Sequence, residues 1–399
     1  MLLLLLTFFA LYTAYKLVLS LLEIRFVAKK AEEPAVVLSP DDFANAAKVA
    51  IAKEKFSAFS SLYSFVLLVF WSCGGASWLQ GLFKFESQTL SGTAFVVAFL
   101  LASAVFALPL SIYESFVLNK RFGFSNLTPR LFALDTLKSL ALIAVFGGAF
   151  VACVLFIFAW LGAAWWLWAF ALAFAVIILI NLIYPTLIAP IFNKMTPLED
   201  AALAGQINEL LAKAGFKSSG VFSMDASKRD NRLNAYFGGL GSTKRVVLFD
   251  TLLAKLTPAE ILAVLGHELG HFKHGDLLKN IALMFFILLA LFAVLGNVPA
   301  SFYAALGLNE SGASLLVFFI LYSPILSAIF EPIISAFSRS HEFGADRFGA
   351  GATSKDDMIS ALRKLGSQNK AFPFAHPFYS FVYHSHPTLA ERISELENL

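Results

Sequence analysis

Long apolar runs alternate with mixed polar stretches along this chain, and the lengths of the runs predict its elements. Seven of them, at about 2 to 22, 57 to 79, 91 to 117, 137 to 161, 163 to 187, 280 to 299 and 314 to 337, can cross a hydrocarbon core of roughly 30 Å as helices. From Ser139 to Asn193 there is no Asp, Glu, Lys or Arg, which leaves room for two crossings joined by a tight turn near Gly162. Trp160, Trp165, Trp166 and Trp168 cluster at that turn, where an interfacial aromatic belt would sit, with a buried aromatic core as the alternative. The first run reads as a retained anchor and not as a signal peptide. No positive charge opens it, Lys16 interrupts it, and no small-residue cleavage site precedes Glu23.

The segments between and after the last spans have soluble patterning. Strand-like runs at Gly220 to Met224 and Arg245 to Phe249 sit among helical periods, which predicts one small α+β domain built from two pieces. The resulting division is residues 1–187 for membrane helices one to five, 188–279 for the first part of the soluble domain, 280–337 for helices six and seven, and 338–399 for its second part. Residues 32–40 read as a linker, and no internal repeat or low-complexity tract occurs.

Composition supports the membrane reading, since 58% of residues are hydrophobic and only 14% charged, against about 25% charged in soluble domains. A net charge of +3 says little about partners, and no basic block with interleaved aromatics points to nucleic acid. Cys73 and Cys153 both lie in apolar runs, so neither a disulfide framework nor a cysteine-ligated metal is expected. Charge in the loops sets orientation. Arg25, Lys29, Lys30, Lys48, Lys53 and Lys55 follow span one, and Lys120, Arg121, Arg130 and Lys138 follow span three, whereas the intervening loops are nearly bare. The positive-inside rule then puts the N-terminus outside and both soluble pieces in the cytoplasm, an even number of spans apart and able to share one site.

The candidate chemistry is Gly266-His267-Glu268-Leu269-Gly270-His271. Thr257-Pro258-Ala259-Glu260 supplies a cap, a first-turn proline and a capping-box glutamate, so the motif falls on a helix. Positions four apart stack on one helical face, which brings His267 and His271 to a single tetrahedral ion. Glu268 beside them is placed to act as general base on water, and a solvated pair of surface histidines is the bland alternative. Mixed imidazole and carboxylate ligands with one open position predict a single Zn(II) per chain. For the third ligand, Glu342 is the choice and His341 its rival. Asp346, four residues after Glu342, can accept a hydrogen bond from the far nitrogen of a ligand histidine. The alternative there is a solvated acidic face beside Arg339 and Arg347, and His274 points off the ligand face.

Together these residues resemble the type I, zinc-dependent, integral-membrane CAAX prenyl proteases. The resemblance covers Asn119 to Thr128, Tyr184-Pro185 through Ala189-Pro190-Ile191-Phe192-Asn193-Lys194, Ser227-Lys228-Arg229, Asn234-Ala235-Tyr236-Phe237, Lys244 to Leu252, the HExxH helix, Glu342 to Asp346 and Ser385-His386-Pro387-Thr388. It implies a mainly α, polytopic fold: seven transmembrane helices around a water-filled chamber, closed at the cytoplasmic end by a zincin-like (gluzincin) catalytic domain. It further implies Glu342 as third ligand, Asp346 and Arg392 as supporting groups, and Asn234 and His386 flanking the substrate, with His386 stabilising the oxyanion. Taken alone, Asn234 reads as a turn residue, His386 as a buried histidine before proline and Arg392 as a surface charge. The chain departs from the family at Ser227 to Asn234, where a serine and a histidine commonly precede the asparagine.

The expected activity is membrane-embedded endopeptidase cleavage of membrane-associated or prenylated peptides. The bacterial inner membrane or the ER membrane is the expected location, and a monomer the expected state. Two alternatives stand beside it: a quality-control metallopeptidase acting on unmodified membrane proteins, and a seven-helix transporter with structural zinc. Glu331, Pro324 and Pro332 in span seven would suit the latter.

Overall fold

The computed structural model describes residues 1–239 and 244–399. Among the described residues, seven helices are long and apolar enough to cross a membrane: α1 (Leu2–Lys30), α2 (Pro40–Gly81), α3 (Gln88–Arg121), α4 (Pro129–Trp160), α5 (Gly162–Phe192), α8 (Asp276–Gly296) and α9 (Gly312–Ala352). All seven apolar runs lie within or overlap them, yet most of the helices are longer than the runs. Hydropathy marks where lipid is, whereas the helix ends are set by caps farther out. Ser39 and Thr128 accept hydrogen bonds from the third residue of α2 and α4, each with proline at the first position. Residues 31–39 form the non-helical link between α1 and α2.

Several spans contain a wide turn. In α2 the turn at Trp71–Gly75 includes Gly74 at φ 129°, a backbone setting that a side chain would strain. In α3 the turn at Glu114–Leu118 follows Pro109, and in α5 the turn at Tyr184–Ile188 contains Pro185. The tryptophans divide between the two readings. Trp160 and Trp168 are exposed as a belt requires, while Trp165 is buried edge-on against Phe158 and Trp166 packs at Gly296. Only 6% of the most apolar window of α8 is buried against protein, so this span packs least against the others.

Between α5 and α8 lies the small sheet. Its strands are β1 (Met195–Pro197), β2 (Val221–Met224), β3 (Ala235–Gly238) and β4 (Arg245–Phe249), in the order β1-β2-β4-β3. The two strand-like runs become the central parallel pair β2–β4, and antiparallel β3 forms one edge. Against the sheet pack α6 (Ala201–Lys213), through Leu203, Ile207, Leu210 and Leu211, and α7 (Pro258–Lys273), through Leu265 and Leu269. These side chains recur at three- and four-residue spacing, so each helix buries one face.

Polar ties anchor this domain to the membrane helices. The Arg229 guanidinium donates to both carboxylate oxygens of Asp135 in α4, at 2.8 and 3.1 Å, and to Asn193 Oδ1 at 3.1 Å. Asn126 donates to the Ser227 carbonyl at 2.8 Å, and Phe124, buried, has Lys53, Arg232 and Lys370 each 5.2 Å from its ring centre. After α9 the chain runs through α10 (Lys355–Gln368), α11 (Pro377–Tyr383) and α12 (Leu389–Glu397). Glu23 of α1 accepts from the His376 N–H and Glu54 of α2 from the Tyr379 hydroxyl, both at 2.7 Å, so the C-terminal segment straps the first two spans.

Candidate active site

Two helices build the site. The first is α7, whose capping box is formed on both sides: Thr257 Oγ1 accepts from Glu260 N–H, and Glu260 Oε2 accepts from Thr257 N–H at 2.8 Å. Glu260 is buried, and burial alone would raise its pKa, but Lys364, Ser360 and Thr257 hydrogen-bond the carboxylate and hold it down at about 2. The second helix is α9, which continues from the membrane to carry Glu342 and Asp346 one turn apart. Glycines let the two helices touch. A Cβ added at Gly270 would stand 2.7 Å from Ala345 Cα, one at Gly266 3.1 Å from Gly349 Cα, and one at Gly349 2.8 Å from the His267 nitrogen.

That close crossing brings three donors together. His267 Nε2 and His271 Nε2 are 3.2 Å apart, Glu342 Oε2 is 3.6 Å from the former and Glu342 Oε1 is 3.4 Å from the latter. One ligand atom from each lies within 4.8 Å of the others. His341 lies outside this group, its Nε2 3.6 Å from Asp276, and His274 turns away against Phe348 and Gly344.

The residues fit a cation. Glu342 is buried, and its Oε2 is sealed from water with no hydrogen bond: His386 Nδ1 is 2.7 Å away but not aligned to donate. Arg392 Nη1, 3.7 Å from that oxygen, offsets part of the cost of burying the charge, and a cation seated among the three donors would offset more. Burial pulls the His271 imidazole towards its neutral form, but Glu342 and Asp276 beside it hold its pKa up at about 9. The same carboxylates that stabilise a proton there would stabilise a divalent ion.

Around the donors stands a supporting layer. His267 Nδ1 lies 2.7 Å from Asp346 Oδ1, and Asp346 accepts from Arg392 Nε at 2.8 Å and Nη2 at 2.6 Å. His271 Nδ1 lies 3.0 Å from Asp276 Oδ2, whose other oxygen accepts from Lys279 Nζ at 2.9 Å. Asp276 escaped the sequence reading. Its signal was Gly275 just before it: Gly275 adopts φ 68°, and this turn folds the start of α8 back on α7 so that Asp276 meets a histidine five residues earlier.

A cavity of about 410 Å³ opens beside the donors and holds Glu268, His386, Arg392 and Asn234, with Leu252, Met358 and Leu362 on its apolar side. Asn234 stands at the start of edge strand β3, its Oδ1 accepting from Ala235 N–H at 2.9 Å. His386 is the exposed member, 58% accessible. The structure thus brings all eight sequence-derived residues to one place, where three of them could hold a cation beside the Glu268 carboxylate and the edge strand β3.

Comparison with known proteins matches this arrangement. The family model described as CAAX prenyl protease N-terminal, five membrane helices, matches residues 23–194, and that of peptidase family M48 matches residues 197–399. The chain is 39% identical over 306 residues to CAAX prenyl protease 1 homolog of Dictyostelium discoideum, covering 74% of this chain and 70% of that protein. It is 34% identical over 380 residues to CAAX prenyl protease 1 of Saccharomyces cerevisiae, covering 87% and 83%. The crystal structure of S. mikatae Ste24p superposes with a TM-score of 0.92 at 30% identity, covering 99% of each chain. The N-terminal match begins only after most of α1, the stretch that carries least motif.

Proposed function

This chain belongs to the CAAX prenyl protease branch of peptidase family M48, the integral multi-pass membrane metalloendopeptidases, and from that premise we propose that it works with one zinc ion held by His267, His271 and Glu342. The observation that carries this reading is the convergence of the three donors beside a cavity that one of them, His267, lines together with Glu268. Two imidazoles and a carboxylate, with a position open to the cavity, suit Zn(II). When bound, the ion supplies Lewis acidity at the scissile carbonyl and lowers the pKa of water there.

The chain's own residues do the rest. Glu268 takes a proton from the attacking water and returns it to the leaving amine. His386 donates to the oxygen that gains charge as the carbonyl becomes tetrahedral. Asp346, clamped by Arg392, fixes the ring of His267 and its tautomer. The substrate peptide adds as a strand to the edge formed by β3, with Asn234 beside the reacting bond.

By kinship with the CAAX prenyl proteases, the substrate is a C-terminal CAAX peptide cut after its isoprenylated cysteine, the lipid lodging among the membrane helices. The protein acts as a monomer in a bacterial inner membrane or the ER membrane, with the site in the cytoplasm. The four-part division, 1–187, 188–279, 280–337 and 338–399, is supported by the way the end of α9 and the helices α10 to α12 join the sheet and α7 from beyond spans six and seven.

The test is Glu268→Ala in purified protein. Bound zinc and thermal stability stay as in the parent while peptide cleavage is lost; retained turnover would remove Glu268 from its role. A prenylated peptide and an unmodified hydrophobic one assayed side by side then decide the substrate, equal rates favouring quality control over CAAX processing.

A further inference from the structure

The usable edge of the sheet is shorter than the segment that forms it. The Asn234 carbonyl accepts from Phe249 N–H at 3.1 Å, so the backbone groups of Asn234, Tyr236 and Gly238 face β4. In an antiparallel ladder alternate residues face opposite ways, so Leu233, Ala235 and Phe237 turn their N–H and C=O outward. The far side of β4 alternates accordingly, with Val246 N–H donating to the Gly220 carbonyl at 3.2 Å. The outward groups are where an added peptide strand bonds.

At Leu233 both are already taken. Leu233 N–H donates to Asn369 Oδ1 at 2.7 Å, and Asn369 Nδ2 donates to the Leu233 carbonyl at 3.1 Å. One side-chain amide thus does what a residue of a partner strand would do. Asn369 is itself held at the end of α10, its N–H donating to the Leu365 carbonyl at 2.9 Å, and it lines the same cavity as His267, Glu268 and His386. Ala235 differs: its N–H is covered only by the neighbouring Asn234 side chain, and among the described residues nothing outside the sheet holds its carbonyl or the outward groups of Phe237.

We propose that Asn369 ends the substrate-binding edge at Leu233, so that the peptide C-terminal to the cut leaves the sheet within about two residues and the site favours bonds near a substrate's C-terminus. The direction comes from antiparallel pairing with β3, the more stable ladder, which runs the bound peptide's C-terminal part towards Leu233. The inference rests on the reading above that substrate adds to this edge. Asn369 is a specificity-determining residue in this scheme, and it touches no reacting atom.

The wild-type protein supplies the first test, with peptides in which single amides are replaced by esters. Each replacement removes one N–H, and a lost ladder bond lowers kcat/KM roughly three- to tenfold. The expected result is such a loss at the residue facing the Ala235 or Phe237 carbonyl and none at the residue facing Leu233. A comparable loss opposite Leu233 overturns the inference alone; no loss anywhere overturns edge binding and this inference with it. The second test is Asn369→Ala, with kcat/KM compared for peptides carrying about three or about nine residues after the cut. The parent favours the shorter peptide, and the variant narrows that preference by roughly tenfold through the longer one, at unchanged metal content. An unchanged ratio, or an equal fall for both peptides, overturns it.

Discussion

Glu342 Oε2 is a buried carboxylate oxygen without a hydrogen bond, and the surrounding charges are set to make an incoming cation its best partner. Two acids prepare that site from behind, Asp346 on His267 and Asp276 on His271. Substituting either, as Asp346→Asn or Asp276→Asn, is expected to weaken zinc binding roughly 10- to 100-fold, read by competition with a chromogenic chelator; unchanged affinity would reduce both to packing roles. Glu260 gives a second expectation. Its folded pKa of about 2 lies below the ordinary 4.5, so its contribution to stability is complete above about 4.5 and fades as pH falls towards 2. Glu260→Gln should therefore lower the thermal midpoint at neutral pH and bring variant and parent together near pH 2; a gap that stays constant with pH would show the charge is irrelevant. The paired histidines, Glu268 and the capping box were legible because their contacts are local, within four residues. Asn369 and Asp276 were not, since an amide reaching a strand 136 residues earlier and an acid aimed by one left-handed turn leave no periodic trace.

Between elements, the decisive contact is the crossing of α7 and α9 on bare backbone. Gly270→Ala would drive a methyl to 2.7 Å from Ala345 Cα, where no flexible side chain can yield. Overpacking of this kind costs about 1 to 3 kcal/mol, and because Glu342 moves with α9, zinc affinity should fall with the melting temperature. Gly205→Ala on the exposed face of α6 meets nothing within 4 Å and is expected to stabilise by about 0.5 to 1 kcal/mol without touching the metal. Parallel losses in both variants would refute the packing argument. The seven spans were readable from hydropathy and the central strand pair from β-branched runs, but β1, three residues long and ending in proline, was too short to register. Helix ends were misjudged wherever a polar cap lay beyond the apolar run, as at Ser39, and the wide turns inside α2, α3 and α5 leave the hydropathy uninterrupted.

For the whole molecule, the proposed orientation separates two exposed acids. With cysteine placed at Glu310, between α8 and α9, and the protein made in a bacterial inner membrane, an impermeant thiol reagent should label intact cells. Cysteine at Glu209 on α6 should react only after the membrane is opened; the opposite pattern would invert the topology. The length of α9 carries a consequence for the enzyme in its lipid setting. Its 41 residues form one rod of roughly 60 Å, so the crossing of the bilayer and the delivery of Glu342 are a single mechanical event. A helix that tilts to match a thicker or thinner hydrocarbon slab carries its far end sideways, and Pro324 and Pro332 are the places where the rod can give. Acyl-chain length in the host membrane thereby becomes a lever on the grip of the metal.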